Sequence, residues 1–342
     1  MPKEKKSWKE RQRERLLKLQ RSQEVYRAHR EVEAKRRPRK LPRGKILFAV
    51  VLIILVVSIY FVLQFAIPAS SNDTNASDSN NTISSGSGVI FIASDGRVVP
   101  SNASITNNAN SRYTLTADIY DFIIVQRDNI IIDGANHSVM GTDELGSVGI
   151  DLTSRTNVTV TNLKIEGFEK GINVDLGFKN YIIGNEFKYN YYGIWIHSSN
   201  NNEITENKLT NNEMGGISIR LSLNNLISQN ELTSHSNYTI YVSGSSSTNI
   251  ISNYIADNNL GIFLYNSSSN NIYHNRFANN RKDASTLDCT NVWDNGYPSG
   301  GNYWSDYEQK YSNAQELGNS GIWDTPYVLD DYNKDNYPLI NR

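Results

Sequence analysis

The sequence predicts an all-β fold, a right-handed parallel β-helix with coils of 22–23 residues, preceded by a single transmembrane α-helix. An isoleucine and an asparagine recur together with this period. A fixed period with short apolar alternations is typical of a β-solenoid, in which each repeat forms one turn. A separate apolar stretch, residues 46–67, predicts the membrane helix. The isoleucines are Ile150, Ile172, Ile194, Ile217, Ile240 and Ile262, with spacings of 22, 22, 23, 23 and 22, and the asparagines are Asn185, Asn207, Asn230, Asn253 and Asn275, with spacings of 22, 23, 23 and 22.

The first 45 residues are strongly basic. They carry 18 Lys and Arg against 6 Asp and Glu, a balance of +12, whereas residues 46–342 carry 16 against 29, a balance of −13. The segment is rich in helix formers, but its apolar stripe is weak. Three interpretations stay open: a solvated basic helix, a helix resting on anionic lipid, or a contact with nucleic acid or protein.

Residues 46–67, ILFAVVLIILVVSIYFVLQFAI, contain no charged residue. At about 1.5 Å rise per residue, a helix of this length crosses a hydrocarbon core of ~30 Å. A signal peptide would have a shorter apolar region and a short basic leader. We therefore expect an uncleaved single-pass anchor. The adjoining basic cluster predicts a cytoplasmic N-terminus and an extracytoplasmic C-terminal part at the cell membrane.

Residues 68–88 form a Ser- and Asn-rich linker. The extracytoplasmic part has one cysteine, Cys289, which excludes a disulfide within the chain and is interpreted as an inert packed thiol. Glycosylation sequons give eight candidate sites, at Asn72, Asn75, Asn80, Asn102, Asn136, Asn157, Asn237 and Asn266.

The coils, with an N-terminal cap, are predicted for residues 89–290, and a C-terminal cap for residues 291–342. Three apolar columns point inward, represented by Ile217 with Ile219, by Ile227 and by Leu232. Asparagine suits the corners because it tolerates left-handed backbone angles, bonds local backbone groups and can bond the same amide one coil further on. A second corner column contains Asn190, Asn212, Asn258 and Asn280, with His235 at the irregular position.

The coils GIWIHSSNNNEITENKLTNNEMGGISI and GIFLYNSSSNNIYHNRFANN resemble the repeats of the NosD-like family of right-handed parallel β-helices. The entry segment YTLTADIYDFIIVQRDNIIIDGANHSVMGT and the tail, GNYWSDY with DTPYVLDDYNKDNYPLI, resemble membrane-anchored members from archaea. The resemblance covers roughly residues 89–340. It implies an extracytoplasmic solenoid in a wider group associated with carbohydrate binding and sugar hydrolysis, and it fixes no reaction.

The resemblance also suggests a role in handling copper, since the family's namesake is linked to copper-centre maturation. Copper needs Cys, His and Met side chains close together. The coil histidines His197, His235 and His274 fall in three different columns, so copper-site maturation is the less favoured interpretation.

Calcium is considered for the stretch DYNKD, which has the acidic spacing that opens an EF-hand loop. The position that requires glycine holds Asn336, and the twelfth position, which requires glutamate, holds Arg342, so the motif fails. A looser cation site in the tail remains open, and no other cofactor is expected. The favoured interpretation of the tail is a cap in which Trp304, Trp323 and Tyr337 cover the last coil.

Outward side chains on the Gly-Ile strands give the candidate ligand-binding residues. The favoured function is binding of a cell-surface glycan or an envelope protein, with no nucleic acid expected for the extracytoplasmic part. The alternative is a polysaccharide lyase or glycoside hydrolase, which needs a carboxylate pair or a positioned base. The carboxylates that the register places on this face do not complete such an arrangement, so enzymatic activity is less favoured. The candidates are Asp175, Trp195, His197, Arg220, Tyr241, Phe263 and Tyr265.

Overall fold

The computed structural model describes residues 88–340. They form an all-β right-handed solenoid of about eight coils, which confirms the predicted fold class for this part of the chain. The predicted basic segment, the predicted membrane helix at 46–67 and nearly all of the linker lie outside the described residues. Within 88–340 no helix has the length and apolar character needed to cross a bilayer. The described helix is the short segment Tyr307–Lys310.

Three sheets run along the solenoid, and each coil contributes one strand to each sheet. Sheet A contains Val98–Val99, Val89–Ile92, Phe122–Val125, Val148–Asp151, Lys170–Asp175, Tyr192–His197, Gly215–Arg220, Tyr238–Ser243, Leu260–Tyr265 and Ala284–Leu287. Sheet B contains Ile105–Asn108, Arg112–Leu115, Ile131–Asp133, Thr159–Thr161, Tyr181–Ile183, Glu203–Thr205, Leu226–Ser228, Asn249–Ile251 and Asn271–Tyr273. Sheet C contains Ser138–Met140, Lys164–Glu166, Glu186–Lys188, Lys208–Thr210, Glu231–Thr233, Tyr254–Ala256, Arg276–Ala278 and Tyr303–Trp304. Tyr327–Val328 and Lys334–Asp335 form a separate antiparallel pair.

The predicted apolar columns are buried and in register. On sheet A, Ile217 lies beside Ile194 and Ile240 in the neighbouring coils, and all three side chains are buried. Ile227 on sheet B and Leu232 on sheet C are equally buried. Each such side chain contributes about 1.5–3 kcal/mol of transfer free energy. Parallel pairing with a shared register therefore turns the sequence period directly into a continuous core.

The predicted asparagine corners are confirmed as hydrogen-bonded ladders. Asn230 shows the pattern: its backbone N–H donates to Asn253 Oδ1 at 3.0 Å, and its side-chain amide donates to the same oxygen at 2.9 Å. The amide also donates to the Ile204 carbonyl at 2.9 Å, in the preceding coil. The Asn230 amide thus satisfies backbone groups of the preceding coil and bonds the amide of the next coil, which offsets the cost of burying a polar side chain.

The left-handed residue at each corner is not the ladder asparagine, contrary to the prediction. It is the residue immediately before, and its identity varies: Glu206 has φ 58°, Gln229 has φ 56° and Ser252 has φ 57°. The ladder amide fixes the corner strongly enough that the preceding residue accepts this backbone conformation even when its side chain has no preference for it.

A third ladder lies at the corner between sheets A and B and was not predicted. Asn180 donates its backbone N–H to Asn202 Oδ1 at 3.0 Å, and Asn202 donates to Asn225 Oδ1 at 2.9 Å. Thr248 interrupts the ladder, and its buried hydroxyl has no hydrogen-bond partner among residues 88–340. Asparagine therefore occupies all three corners of the coil.

Both described ends of the solenoid are covered. At the N-terminal end, antiparallel pairing adds Val98–Val99 to sheet A and Ile105–Asn108 to sheet B. At the C-terminal end, Trp304 stacks on Phe277 at 4.5 Å between ring centroids, and Tyr327 stacks on Trp304 at 4.1 Å. The predicted cap is confirmed for Trp304, which is buried. Trp323 and Tyr337 are only half-buried, and the remaining cover comes from Trp293 and Tyr327.

Candidate ligand-binding surface

The candidate residues lie on one outward face, which we name the sheet A strip. It comprises the outward side chains of five consecutive strands, Lys170–Asp175, Tyr192–His197, Gly215–Arg220, Tyr238–Ser243 and Leu260–Tyr265. The strands pair in parallel without a break. The middle column contains Asn173, Trp195, Ser218, Tyr241 and Phe263, and the carboxyl-end column contains Asp175, His197, Arg220, Ser243 and Tyr265. All seven candidate residues therefore share one surface.

Arg220 occupies the centre of the strip. Its guanidinium carbon lies 4.5 Å from the Trp195 ring centroid and 4.9 Å from the Tyr241 ring centroid. The middle-column residue between those rings is Ser218, which is small and buried, so the arginine folds back over it. Arg220 Nε lies 3.3 Å from Ser218 Oγ. The cation is held between two aromatic rings, which is a favourable cation–π arrangement.

The strip rings are less exposed than the sequence suggests. Trp195, Tyr241 and Phe263 are half-buried, and Tyr265, at 38% exposure, is the most exposed of the four rings. Tyr241 lies 5.7 Å from Phe263 between ring centroids, and Tyr238 stacks on both at 5.3 and 5.4 Å. Ring faces are therefore used partly for contacts between coils. This packing leaves the rings as a rigid platform.

His197 and Asp175 form a direct pair at the N-terminal end of the strip. Their Nδ1 and Oδ1 atoms are 2.8 Å apart, and both side chains are somewhat over one-third exposed. The contact engages Nδ1 and leaves Nε2 as the remaining ring nitrogen, which can contact a ligand as donor or acceptor according to the tautomer. An exposed pair of this kind adds little to stability.

Three further residues complete the strip and were not among the predicted site residues. Lys170, Tyr192 and Tyr238 lie in an amino-end column, in the same register as the candidates. Lys170 Nζ lies 4.8 Å from the Trp195 ring centroid, and the Tyr192 ring packs against Trp195 at 4.7 Å. Burial raises the pKa of Tyr192 to about 12. The signal in the sequence was present, because each of these residues stands two positions before a member of the recurring isoleucine column.

The outward column on sheet C is different in character. Its charges alternate in sign from coil to coil over Lys164, Glu186, Lys208 and Glu231, and Lys208 Nζ lies 2.9 Å from Glu231 Oε1 in the next coil. Both side chains are about half exposed, so the pair contributes little to stability. Further along this column Arg276 lies over the Tyr303 ring, 4.1 Å from its centroid.

Five of the eight glycosylation candidates fall within residues 88–340. Asn102, Asn136, Asn157 and Asn266 are exposed, as a glycan acceptor must be. Asn237 is half-buried, and its amide nitrogen lies 2.8 Å from Met214 Sδ. The first four therefore remain accessible candidates, while Asn72, Asn75 and Asn80 lie outside the described residues.

The fold defines the class of protein as a parallel β-helix, and the strip is an outward face that combines aromatic and polar side chains. Residues 121–309 match the family described as periplasmic copper-binding protein (NosD), which is more than half of the chain. The chain belongs to this family. The family description agrees with the predicted extracytoplasmic location of the C-terminal part. No curated protein matches the sequence.

Several solved structures are similar to the chain. A double mutant of the periplasmic alginate epimerase AlgG is 17% identical, with a TM-score of 0.39, and the match covers 52% of each chain. The enzymatically active domain of bacteriophage CBA120 tailspike protein 2 is 14% identical, with a TM-score of 0.39 and coverage of 66% of this chain and 44% of that one. Pectate lyase Pel9A is 13% identical, with a TM-score of 0.33 and coverage of 55% and 70%. The chain thus spans about half the length of the first of these structures.

The copper named in the family description does not fit the donor residues of this chain. Within residues 88–340, no three His, Cys, Asp or Glu side chains are grouped so that they could hold a metal ion. His197 is paired with Asp175, and His235 is buried in an asparagine ladder. Cys289 Sγ lies 3.6 Å from the Leu264 carbonyl oxygen. The soft donors of this part of the chain are therefore spread over separate coils and do not converge on a common centre.

The acidic tail stretch considered for calcium has a structural role instead. Asn333 Oδ1 accepts the Asn291 backbone N–H at 2.9 Å and the Trp293 indole N–H at 3.2 Å. The carboxylate of Asp335 accepts three N–H groups and is fully buried. These oxygens bind protein donors of the cap, so the stretch does not form a calcium loop.

Proposed function

We propose that the chain is a membrane-anchored, extracytoplasmic β-helix module that binds a cell-surface glycan on the sheet A strip. The observation that carries this proposal is the register of the strip, which aligns aromatic and polar side chains on five adjacent coils. Successive coils are about 4.8 Å apart, a step comparable with the length of one pyranose residue in a polysaccharide. A linear glycan can therefore meet an equivalent row of contacts along the solenoid.

The chemistry of the strip supports a sugar ligand. Apolar faces of pyranose rings pack against aromatic side chains, while polar side chains and tyrosine hydroxyls bind sugar hydroxyls. Tyr265 offers an exposed ring and His197 a ring nitrogen, both at the edge of the platform. The strands beneath them are fixed by parallel pairing on both sides, so little conformational entropy is lost on binding. An envelope protein is the alternative ligand for the same surface.

The binding test uses the full chain, purified in mild detergent, on an array of neutral and acidic glycans. We expect the parent to bind a limited set, and the double variant Trp195→Ala with Tyr241→Ala to bind that set at least about 10-fold more weakly. Tyr254→Ala is the matched control, because Tyr254 is an exposed ring on sheet C. A parent that binds no glycan, or a double variant that binds as well as the parent, contradicts the proposal.

A second candidate, a polysaccharide lyase, is favoured by the His197–Asp175 contact. In β-elimination a base removes the proton on the ring carbon that bears the carboxylate, a C=C bond forms as the C–O bond to the next sugar breaks, and solvent protonates the departing oxygen. A carboxylate that binds one imidazole nitrogen can orient the other nitrogen as this base. The test is incubation of the parent with polyuronates while the ultraviolet absorbance of unsaturated products is followed. Activity that His197→Ala abolishes would support this candidate, whereas glycan binding without any product would leave the binding module as the function.

A further inference from the structure

The strip contains a guanidinium that is positioned but not neutralised. Arg220 is held by Trp195, Tyr241 and Ser218, none of which carries a negative charge. No acidic side chain among residues 88–340 forms an ion pair with it, and its two terminal nitrogens have no hydrogen-bond acceptor in that part of the chain. The four N–H groups of the two terminal nitrogens are therefore available to a ligand.

The carboxylates of the same face are already engaged. Asp175 contacts His197 at 2.8 Å. Asp151 Oδ1 accepts hydrogen bonds from the Thr153 backbone at 3.0 Å, from its hydroxyl, and from the Asn173 amide at 3.0 Å. Neither carboxylate neutralises the guanidinium. An acidic group on a ligand would thus meet an unpaired cation at the centre of the strip.

A second cation lies on the same platform. Lys170 Nζ contacts the Trp195 ring at 4.8 Å, two coils before the strand that carries Arg220. The Arg220 guanidinium carbon lies 4.5 Å from the centroid of the same ring, so both cationic groups lie against Trp195. An acidic ligand group bound at this ring is attracted by both charges.

From these contacts we infer that the strip selects an acidic glycan, a polymer with uronic acid residues whose carboxylate is bound by Arg220. This inference rests on the proposed glycan-binding function and adds the substrate class. A planar carboxylate matches the two-donor edge of a guanidinium, which gives a bidentate contact that a hydroxyl cannot reproduce. The rings on either side restrict the guanidinium, so the contact forms with little further ordering.

The test compares polygalacturonate with the same polymer after chemical reduction of its carboxyl groups, by affinity electrophoresis of the full chain. We expect the parent to bind the acidic polymer at least about 10-fold more tightly than the reduced one, in keeping with one charge-assisted contact. Arg220→Gln should abolish this preference, so that the variant binds the acidic and the reduced polymer about equally. Arg220→Lys should retain part of the preference, because it keeps the charge and loses the fork.

Arg276→Gln is the matched control. Arg276 also lies over a ring, 4.1 Å from the Tyr303 centroid, but it is on sheet C. The control removes the same charge and should keep the preference for the acidic polymer. A thermal unfolding curve for each variant checks that it is folded, and Arg220→Lys provides the binding data if Arg220→Gln does not fold.

The outcomes distinguish failure of the proposed glycan binding from failure of the assignment to acidic glycans. If the parent binds neither form of any glycan tested, the proposed function fails. If the parent binds the reduced polymer as tightly as the acidic one, or if Arg220→Gln keeps the preference, glycan binding stands and the assignment of acidic glycans is overturned. Dextran sulfate and single-stranded DNA are included as competitors. Tighter binding of either one than of polygalacturonate would equally overturn the assignment to uronic acids.

Discussion

The backbone N–H of Asn302 donates to the carboxylate of Asp335 at 2.7 Å, which extends an asparagine ladder one step past the last coil. In that ladder Asn275 makes the same contact to Asn302 Oδ1 at 3.0 Å. Asn333 extends the ladder at the corner between sheets A and B in the same way, because its Oδ1 accepts the backbone N–H of Asn291. The C-terminal segment therefore closes the solenoid by supplying the next acceptor in two ladders, and its tryptophans cover the core between them.

The first prediction concerns the charge at this closure. Burial raises the pKa of Asp335 to about 7, whereas an unfolded aspartate has a pKa of about 3.9. The folded state then holds a proton that the unfolded state has lost, so this residue's stabilisation is complete below about pH 4 and declines as pH rises to about 7. We expect Asp335→Asn to gain stability relative to the parent as pH increases from 5 to 8.

The measurement is chemical denaturation of parent and variant at several pH values, and the quantity compared is the difference between their free energies of unfolding. Asp331→Asn is the control, because Asp331 is an exposed neighbour in the same stretch. A pH trend that is found for Asp335→Asn and not for this control is then assigned to the buried carboxylate. A difference for Asp335→Asn that is constant from pH 5 to 8 would contradict the raised pKa.

The second prediction concerns the histidine in an asparagine ladder. His235 is buried, and its Nδ1 accepts the backbone N–H of Asn212 at 3.2 Å. In the preceding step of the same ladder, the backbone N–H of Asn190 donates to the side-chain Oδ1 of Asn212. Burial lowers the pKa of His235 to about 4, below the unfolded value of about 6.5. Its contribution to stability is therefore present above pH 6.5 and is lost as pH falls toward 4.

His235→Asn should restore a regular ladder and remove this pH dependence. We expect the variant to become more stable relative to the parent as pH falls from 7 to 5, a trend opposite to that of Asp335→Asn. Thermal unfolding followed by circular dichroism at each pH measures it. A variant that loses stability relative to the parent at low pH would show that the imidazole is not buried as a neutral ring.

The third prediction uses the left-handed residues before the ladder asparagines. Gln229 is exposed and has φ 56°, a backbone conformation that glycine adopts without a steric penalty. Gln229→Gly should raise the free energy of unfolding by up to about 1 kcal/mol, since relief of the left-handed strain exceeds the entropic cost of glycine. Ser228→Gly, in the strand immediately before, should lower it. Equal effects of the two substitutions on urea denaturation would contradict this account.

These cases show what the sequence could predict. The coil period, the core columns and the register of Asp175, His197 and Arg220 follow from spacing, because parallel in-register pairing converts sequence distance into position. The position of the left-handed residue at each corner could not be predicted, since neither Glu206 nor Gln229 has a preference for the left-handed conformation. The closure by Asp335 could not be foreseen either, because it lies 33 residues beyond Asn302 and outside the period.

The details of the strip depend on side-chain packing rather than on register. The sequence places Trp195, Tyr241 and Phe263 on one face, but it does not reveal that they are half-buried. That outcome depends on Ser218, whose small side chain leaves the gap that Arg220 fills. Such a contact joins residues of three coils, and no periodic signal records it.

The last prediction concerns the membrane anchor and uses the charge asymmetry of the chain, +12 in residues 1–45 against −13 in the remainder. Basic residues that flank a membrane helix stay in the cytoplasm, so the solenoid should lie outside. Protease treatment of intact cells should remove an epitope at the C-terminus and spare a tag placed before residue 1. Deletion of residues 46–67 is the control and should release the protein from the membrane fraction. Digestion of the N-terminal tag with survival of the C-terminal epitope would reverse the orientation and would place the sheet A strip away from any external glycan.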